Sequence, residues 1–158
     1  MTKKPVSANL QEYKAQSGHL DPVYTLEIQT LPDNVDGILD AVMAVHPLAY
    51  GRYQRNASVT ATGYETSQPQ PNSTTTTHSP HYQLGDHEKY PVVELKISIE
   101  RDVKTLGAVM DVVLQHHHYE EPVIFVREDW VSRAAYNPNR SNPNRWWNNG
   151  KGLPPKLV

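Results

Sequence analysis

Twice in this 158-residue chain an alternating, β-forming segment gives way, through a short polar break, to apolar residues at helical spacing. The first unit carries the strand pattern at 23–30, closed by Leu31-Pro32-Asp33. Val35, Ile38, Leu39, Val42 and Val45 then share one helix face, with Asp33 or Asn34 placed to cap its start. His46 extends that stripe before Pro47 stops the helix. The second unit has the clearest strand, 91–100, then Asp102 as a cap and a stripe of Leu106, Val109, Met110, Val113 and Leu114. His117 and His118 fall four residues after Val113 and Leu114, so the spacing predicts that they continue the buried face. A last apolar run at 123–126 reads as a strand, and 52–65 as a weaker one between the first helix and a long polar break.

A chain that repeats strand, helix and strand must bury one sheet face under both helices. The expected class is α+β, a ferredoxin-like β-α-β-β-α-β sandwich with a long central loop at 66–90 and an extended C-terminal arm. The domain would occupy 22–129, with an N-terminal arm at 1–21 and the C-terminal arm at 130–158. Right-handed crossovers lead us to expect the first and third strands side by side and parallel, with both helices ending at one edge. His46 would there meet His116, His117 and His118. The loop is nearly free of apolar residues but carries His78, His81, Asp86, His87 and Glu88, and a loop of that length is either functional or disordered. In the arm, Asn-Pro-Asn-Arg occurs twice before Trp146-Trp147. Two adjacent indoles are expected to dock on the domain or on a neighbouring subunit.

Composition removes several classes of function. The formal net charge of −2 provides no overall field to recruit nucleic acid or an anionic membrane. The arm has basic and aromatic residues that would suit single-stranded bases, but intersubunit packing is the better reading, and nucleic acid is not an expected partner. With no cysteine, disulfides, thiolate metal sites and cysteine nucleophiles are excluded. No apolar run reaches membrane-spanning length and no leader-like segment is present, so no membrane association is expected and the expected compartment is the cytoplasm.

The richest chemistry lies in His116-His117-His118-Tyr119-Glu120-Glu121-Pro122. Neutral imidazoles and carboxylates would suit Zn²⁺, Cu²⁺ or Ni²⁺. Adjacent helical residues diverge by about 100°, so one ion would draw on separated donors, and His46, His117, His118 and Glu121 are the candidate metal set. The same edge would serve acid–base chemistry, with His118, Tyr119, Glu120, Tyr50 and Arg52 as the catalytic candidates for proton transfer, a lyase reaction or hydrolysis. Arginine there would hold a carboxylate or phosphate. Every one of these groups also has a structural use, because helix ends need side chains to satisfy their last carbonyls.

Half of the chain resembles a known family. The stretch that opens Gly51-Arg52-Tyr53-Gln54-Arg55-Asn56 and ends at Gly63 is similar to a glycine-rich region of the CutA-like insertion domain in bacterial YqfO-type proteins. Leu84-Gly85-Asp86 and Val92-Val93-Glu94-Leu95 follow in that family's order. His117-His118-Tyr119-Glu120-Glu121-Pro122 resembles its His-Pro-Tyr-Glu-Glu-Pro signature, with His118 in place of proline. The resemblance implies a ferredoxin-like fold similar to CutA and the PII signalling proteins, which form trimers with clefts between subunits. It further implies a small-ligand or divalent-metal-binding homo-oligomer, a trimer, with sites near the helix C-termini. The dimetal site of YqfO-type proteins belongs to a surrounding domain with no counterpart in this sequence.

Overall fold

A computed structural model describes residues 10–79, 81–135, 145, 147, 148 and 152. After a 3-10 turn at Leu10–Glu12, the elements in chain order are β1 (Lys14–Ala15), β2 (Gly18–Thr30), α1 (Val35–Met43), β3 (Ser58–Val59), β4 (Gly63–Ser67), α2 (Thr74–His78), β5 (Glu88–Glu100), α3 (Val103–His116) and β6 (Ile124–Ala134). β2 lies at the centre, paired with β6 on one side and β5 on the other, while β3 and β4 both pair with β5. Taking β3 and β4 together as the second strand, this is the ferredoxin-like order, and its helices α1 and α3 pack against each other over one face.

Side-chain alternation explains why that face is covered. Leu26, Ile28, Leu95, Ile97 and Ile99 point to the helices and are fully buried against Ile38, Val42, Val109 and Val113. Leu48, from the connection after α1, closes the cluster. The other face carries polar pairs: Thr25 beside Ser98, and Glu27 beneath Lys96 and Arg127.

Several expectations need correction. The first and third predicted strands are antiparallel, with Val23 opposite Glu100 and Thr30 opposite Val93. Each helix leaves the end of its strand and runs back, so antiparallel strands send the two helix C-termini to opposite ends of the sheet. The single predicted strand at 52–65 is a tight turn followed by two short strands, because Gly51 and Arg55, with positive φ of 58° and 55°, turn the chain where that strand would begin. The loop at 66–90 is partly regular: Ser73 caps α2, and residues 88–90 belong to β5. The sheet reaches beyond 22–129 at both ends, because backbone pairing continues from Gly18 opposite Ala134 to Ile28 opposite Ile124.

The helix limits also shift. Asp102 caps α3 as expected, accepting from Thr105 N–H at 2.7 Å. α1 has no side-chain cap, since the chain enters it through a 3-10 turn at Pro32–Asn34. Asn34 is instead buried, and its amide reaches the His116 carbonyl at 3.3 Å, an orphan acceptor at the end of α3. α1 stops before Val45, which is half exposed, and α3 stops at His116. His117 has extended backbone, so it and His118 do not continue the buried stripe. The Asn-Pro-Asn-Arg repeats and Trp146 lie largely outside the described residues. No helix among the described residues is long and apolar enough to cross a membrane.

Candidate ligand-binding clefts

The end of α3 brings the signature segment over the edge where β2 finishes and β6 begins. His116 turns back on its own helix, Nδ1 against the Val112 carbonyl at 2.8 Å. His117 leaves the helix and bridges two backbone groups: Nε2 lies 2.8 Å from the Gln29 carbonyl, and Nδ1 lies 3.0 Å from Tyr119 N–H. A carbonyl can only accept and an N–H can only donate, so the ring must be the neutral Nε2–H tautomer. Burial lowers its pKa, the charge of His118 adds to that, and the Gln29 bond and Glu65 partly oppose it. With both nitrogens engaged, His117 is a fastener rather than a ligand donor.

Beyond it a cleft of about 670 Å³ opens between this segment, β4, the start of β5 and the approach to α2. Its lining includes Glu65, Glu88, Glu120 and Glu121, together with Tyr90, His118 and Tyr119, and among the described residues it contains no lysine or arginine. Tyr119 packs edge-on against His117 with ring centroids 4.9 Å apart. Its hydroxyl is buried and has no partner, and Glu65 faces it without reaching hydrogen-bond geometry. Burial first and Glu65 second raise its pKa far above the ordinary phenol value, so it stays protonated. Glu120 accepts from both the backbone N–H and the hydroxyl of Thr74 at 2.8 Å, and these bonds hold its carboxyl below the usual range. Tyr90 is raised by the neighbouring Glu88 carboxyl first and by burial second.

Antiparallel topology separates the predicted site residues into two groups. His118, Tyr119, Glu120 and Glu121 line this cleft, with His117 beneath. His46, Tyr50 and Arg52 lie at the other end, where His46 Nε2 is 2.7 Å from Glu100 Oε2 and its Nδ1 accepts from Leu48 N–H at 3.0 Å. Burial works to raise the Glu100 carboxyl, but the His46 bond, with lesser help from Thr105, leaves it lower than usual. Eight residue steps of β6, about 25 Å of strand, separate Ile124 from Ser132 and so the two groups. The metal set of His46, His117, His118 and Glu121 is therefore not gathered at one place. Among the described residues no three His, Asp or Glu are grouped to hold a metal ion. The catalytic set is divided in the same way, and no hydrogen bond among the described residues joins His118 to Tyr119 or Glu120, as an acid–base relay requires.

Glu65, Glu88, Tyr90 and Thr74 were not legible as site residues. They come from three different elements, and only the pairing of β4 with β5 and the capped turn before α2 bring them to the signature segment. Trp147 does return to the sheet, as expected of the arm, lining a cavity with Tyr50, Tyr53 and Arg133.

No family model matches the chain, and no curated protein matches its sequence. Among solved structures, a Bacillus cereus protein related to NIF3 superposes with a TM-score of 0.53 at 16% identity, covering 75% of this chain. The chain spans only 29% of that protein's length. A divalent ion tolerance protein, CutA1 from Ehrlichia chaffeensis, gives 0.46 at 9% identity, covering 86% of this chain and 96% of that one. GlnK of B. subtilis, solved with ATP, gives 0.43 at 12% identity, covering 68% and 82%. The strand order and the first of these likenesses establish the ferredoxin-like fold expected from the sequence.

Proposed function

We propose that this ferredoxin-like chain binds a small cation, a hydrated divalent metal ion or a protonated amine, in the cleft beside His118–Glu121, and does so as a homo-oligomer. The observation that carries the reading is electrostatic: among the described residues, four carboxylates line the cleft and no lysine or arginine does. Glu65 and Glu88 are half-buried, and carboxylates partly removed from water attract a cation more strongly than they would in bulk solvent. Among the described residues no three donors stand ready-made, so the cleft as it is would take a cation that keeps its water or brings its own N–H groups. The phenol of Tyr119, held protonated, would donate to a counter-anion or to a water of that shell, and its oxygen can also accept. Resemblance to the CutA-like insertion domain points the same way, since CutA-like proteins are associated with divalent metal tolerance. The trimer belongs to the same reading, with the neighbouring subunit closing the open side of the cleft.

Calorimetric titration with Zn²⁺, Ni²⁺ and putrescine tests this. Saturable binding of at least one is expected, weakened about tenfold by Glu65→Gln and by Glu121→Gln, as loss of a charge-assisted contact should do. Glu120→Gln should act differently, by loosening α2. Absence of saturable binding for all three cations would reject the reading, as would full binding in the Glu65→Gln/Glu121→Gln double variant.

A further inference from the structure

At the far end of the sheet a second cavity, about 600 Å³, lies between the 50–53 turn, the end of β6 and Trp147. Its walls hold three aromatic rings, Tyr50, Tyr53 and Trp147, and two arginines, Arg52 and Arg133, with no carboxylate. Its size is that of small-molecule sites. Its chemistry is the reverse of the acidic cleft.

The turn that builds it is set in advance. Tyr50 and Tyr53 exchange backbone hydrogen bonds of 2.8 and 3.0 Å across a two-residue loop, and Gly51 supplies the positive φ of 58° that such a loop requires at its first position. Behind it, Leu48 and Arg55 both sit in the left-handed region, where neither is at ease. They persist because Leu48 is fully buried, because the Asn56 amide donates to the Leu48 and Tyr53 carbonyls at 2.8 and 2.9 Å, and because Arg55 is tied to Asp36 and Asp40 of α1. Such strain survives only where surrounding contacts enforce it, and here it fixes where Arg52 and both tyrosines stand. A site already in place loses little ordering entropy when it is filled.

Arg133 supplies the second indication. Its guanidinium lies over the Tyr50 ring, 4.2 Å from the centroid, and Nε donates to Asp21 Oδ2 at 3.0 Å. Nη1 is buried and has no acceptor among the described residues. A buried cationic N–H without an acceptor is unfavourable, and Arg133 lines this cavity as well as the neighbouring one beside His46 and Glu100. Meanwhile Tyr53 and Trp147 keep 69% and 50% of their surface in water, an aromatic patch beside two cations.

We infer that this cavity is a second ligand site, for a small organic anion with a flat apolar body: an aromatic carboxylate. Arg133 and Arg52 hold the carboxylate, which the planar guanidinium fork matches, and the ring lies against Tyr53 and Trp147. The site does not depend on the cation cleft, which lies at the other end of the sheet.

Calorimetric titration of the full chain with benzoate and with indole-3-acetate tests the inference, with benzamide as the neutral analogue and inorganic phosphate as the anion without a ring. At least one carboxylate should bind saturably, one per chain, with benzamide and phosphate about tenfold weaker or worse, as charged and stacked contacts each imply. Arg133→Met and Arg52→Met should each weaken the carboxylate about tenfold with an unchanged circular dichroism spectrum. Arg52 is exposed at the turn, so its variant stays informative if Arg133→Met perturbs the fold. The inference is overturned if neither carboxylate binds, if benzamide or phosphate binds as well as they do, or if Arg52→Met binds normally. It is also overturned if Tyr53→Ala changes the mass in light scattering and leaves benzoate uptake untouched, because the patch would then be a contact between copies.

Discussion

His117 fastens α3 to β2 through the Gln29 carbonyl and accepts the Tyr119 N–H, and it does both only as a neutral ring. Its pKa lies below the ordinary 6.5 in the folded chain, mainly through burial, so the unfolded chain takes up the proton more readily. The sign follows: its contribution is complete above 6.5 and is lost as pH falls through the folded pKa. The lowered carboxylates Glu27, Glu100 and Glu120 lose their contributions further down, below their ordinary 4.5. The melting temperature should therefore drop between pH 7 and 5, and His117→Gln should flatten that slope. Equal slopes in the two proteins would show that another group carries the dependence. Glu65 and His118 face the same ring, so Glu65→Gln is the control that separates them.

Among the elements, the pairing of β2 with β6 decides where the second cavity forms. A Cβ on Gly18 would press on the carbonyl of Arg133, backbone against backbone, so one strand must move. Gly18→Ala is predicted to reduce stability by about 1–3 kcal/mol, the usual penalty of overpacking, and to displace Arg133 from Tyr50. Chemical denaturation measures the first effect, and loss of benzoate binding the second. A variant as stable as the parent would show that the strand end yields freely. The helices were readable from the sequence at their starts more than at their ends. Asp102 is followed by a helical stripe and caps it. At the other end Val113 and Leu114 suggested that the stripe runs on through His117 and His118, but His117 is more useful to the fold outside the helix, where its ring reaches Gln29.

The net charge of −2 conceals two local concentrations of opposite charge. An acidic cleft occupies one end of the sheet and a basic aromatic cavity the other. Open sheet surface outside the helices, with Phe125 half exposed, leaves room for another copy. The proposed trimer predicts a light-scattering mass three times that of the chain, unchanged over tenfold dilution. A mass equal to one chain would remove the intersubunit part of the reading while leaving the cation titration as a separate test.

The sequence by itself determined the class and order of the main elements, β2, α1, β5, α3 and β6, because apolar periodicity distinguishes strand from helix wherever one face is buried. It also pointed to the signature segment, where ionisable groups crowd together at a helix end. Only the tertiary structure decided which candidates meet. A crossover between β2 and β5 that reverses strand direction sends His46 and His117 to opposite ends, and no local pattern in either half records that direction. Strand partners likewise brought Glu65 and Tyr90 to Tyr119, and the positive φ of Gly51 and Arg55 turned an apparent strand into the wall of a cavity. Periodicity is a property of neighbours along the chain, whereas a site is made by neighbours in space.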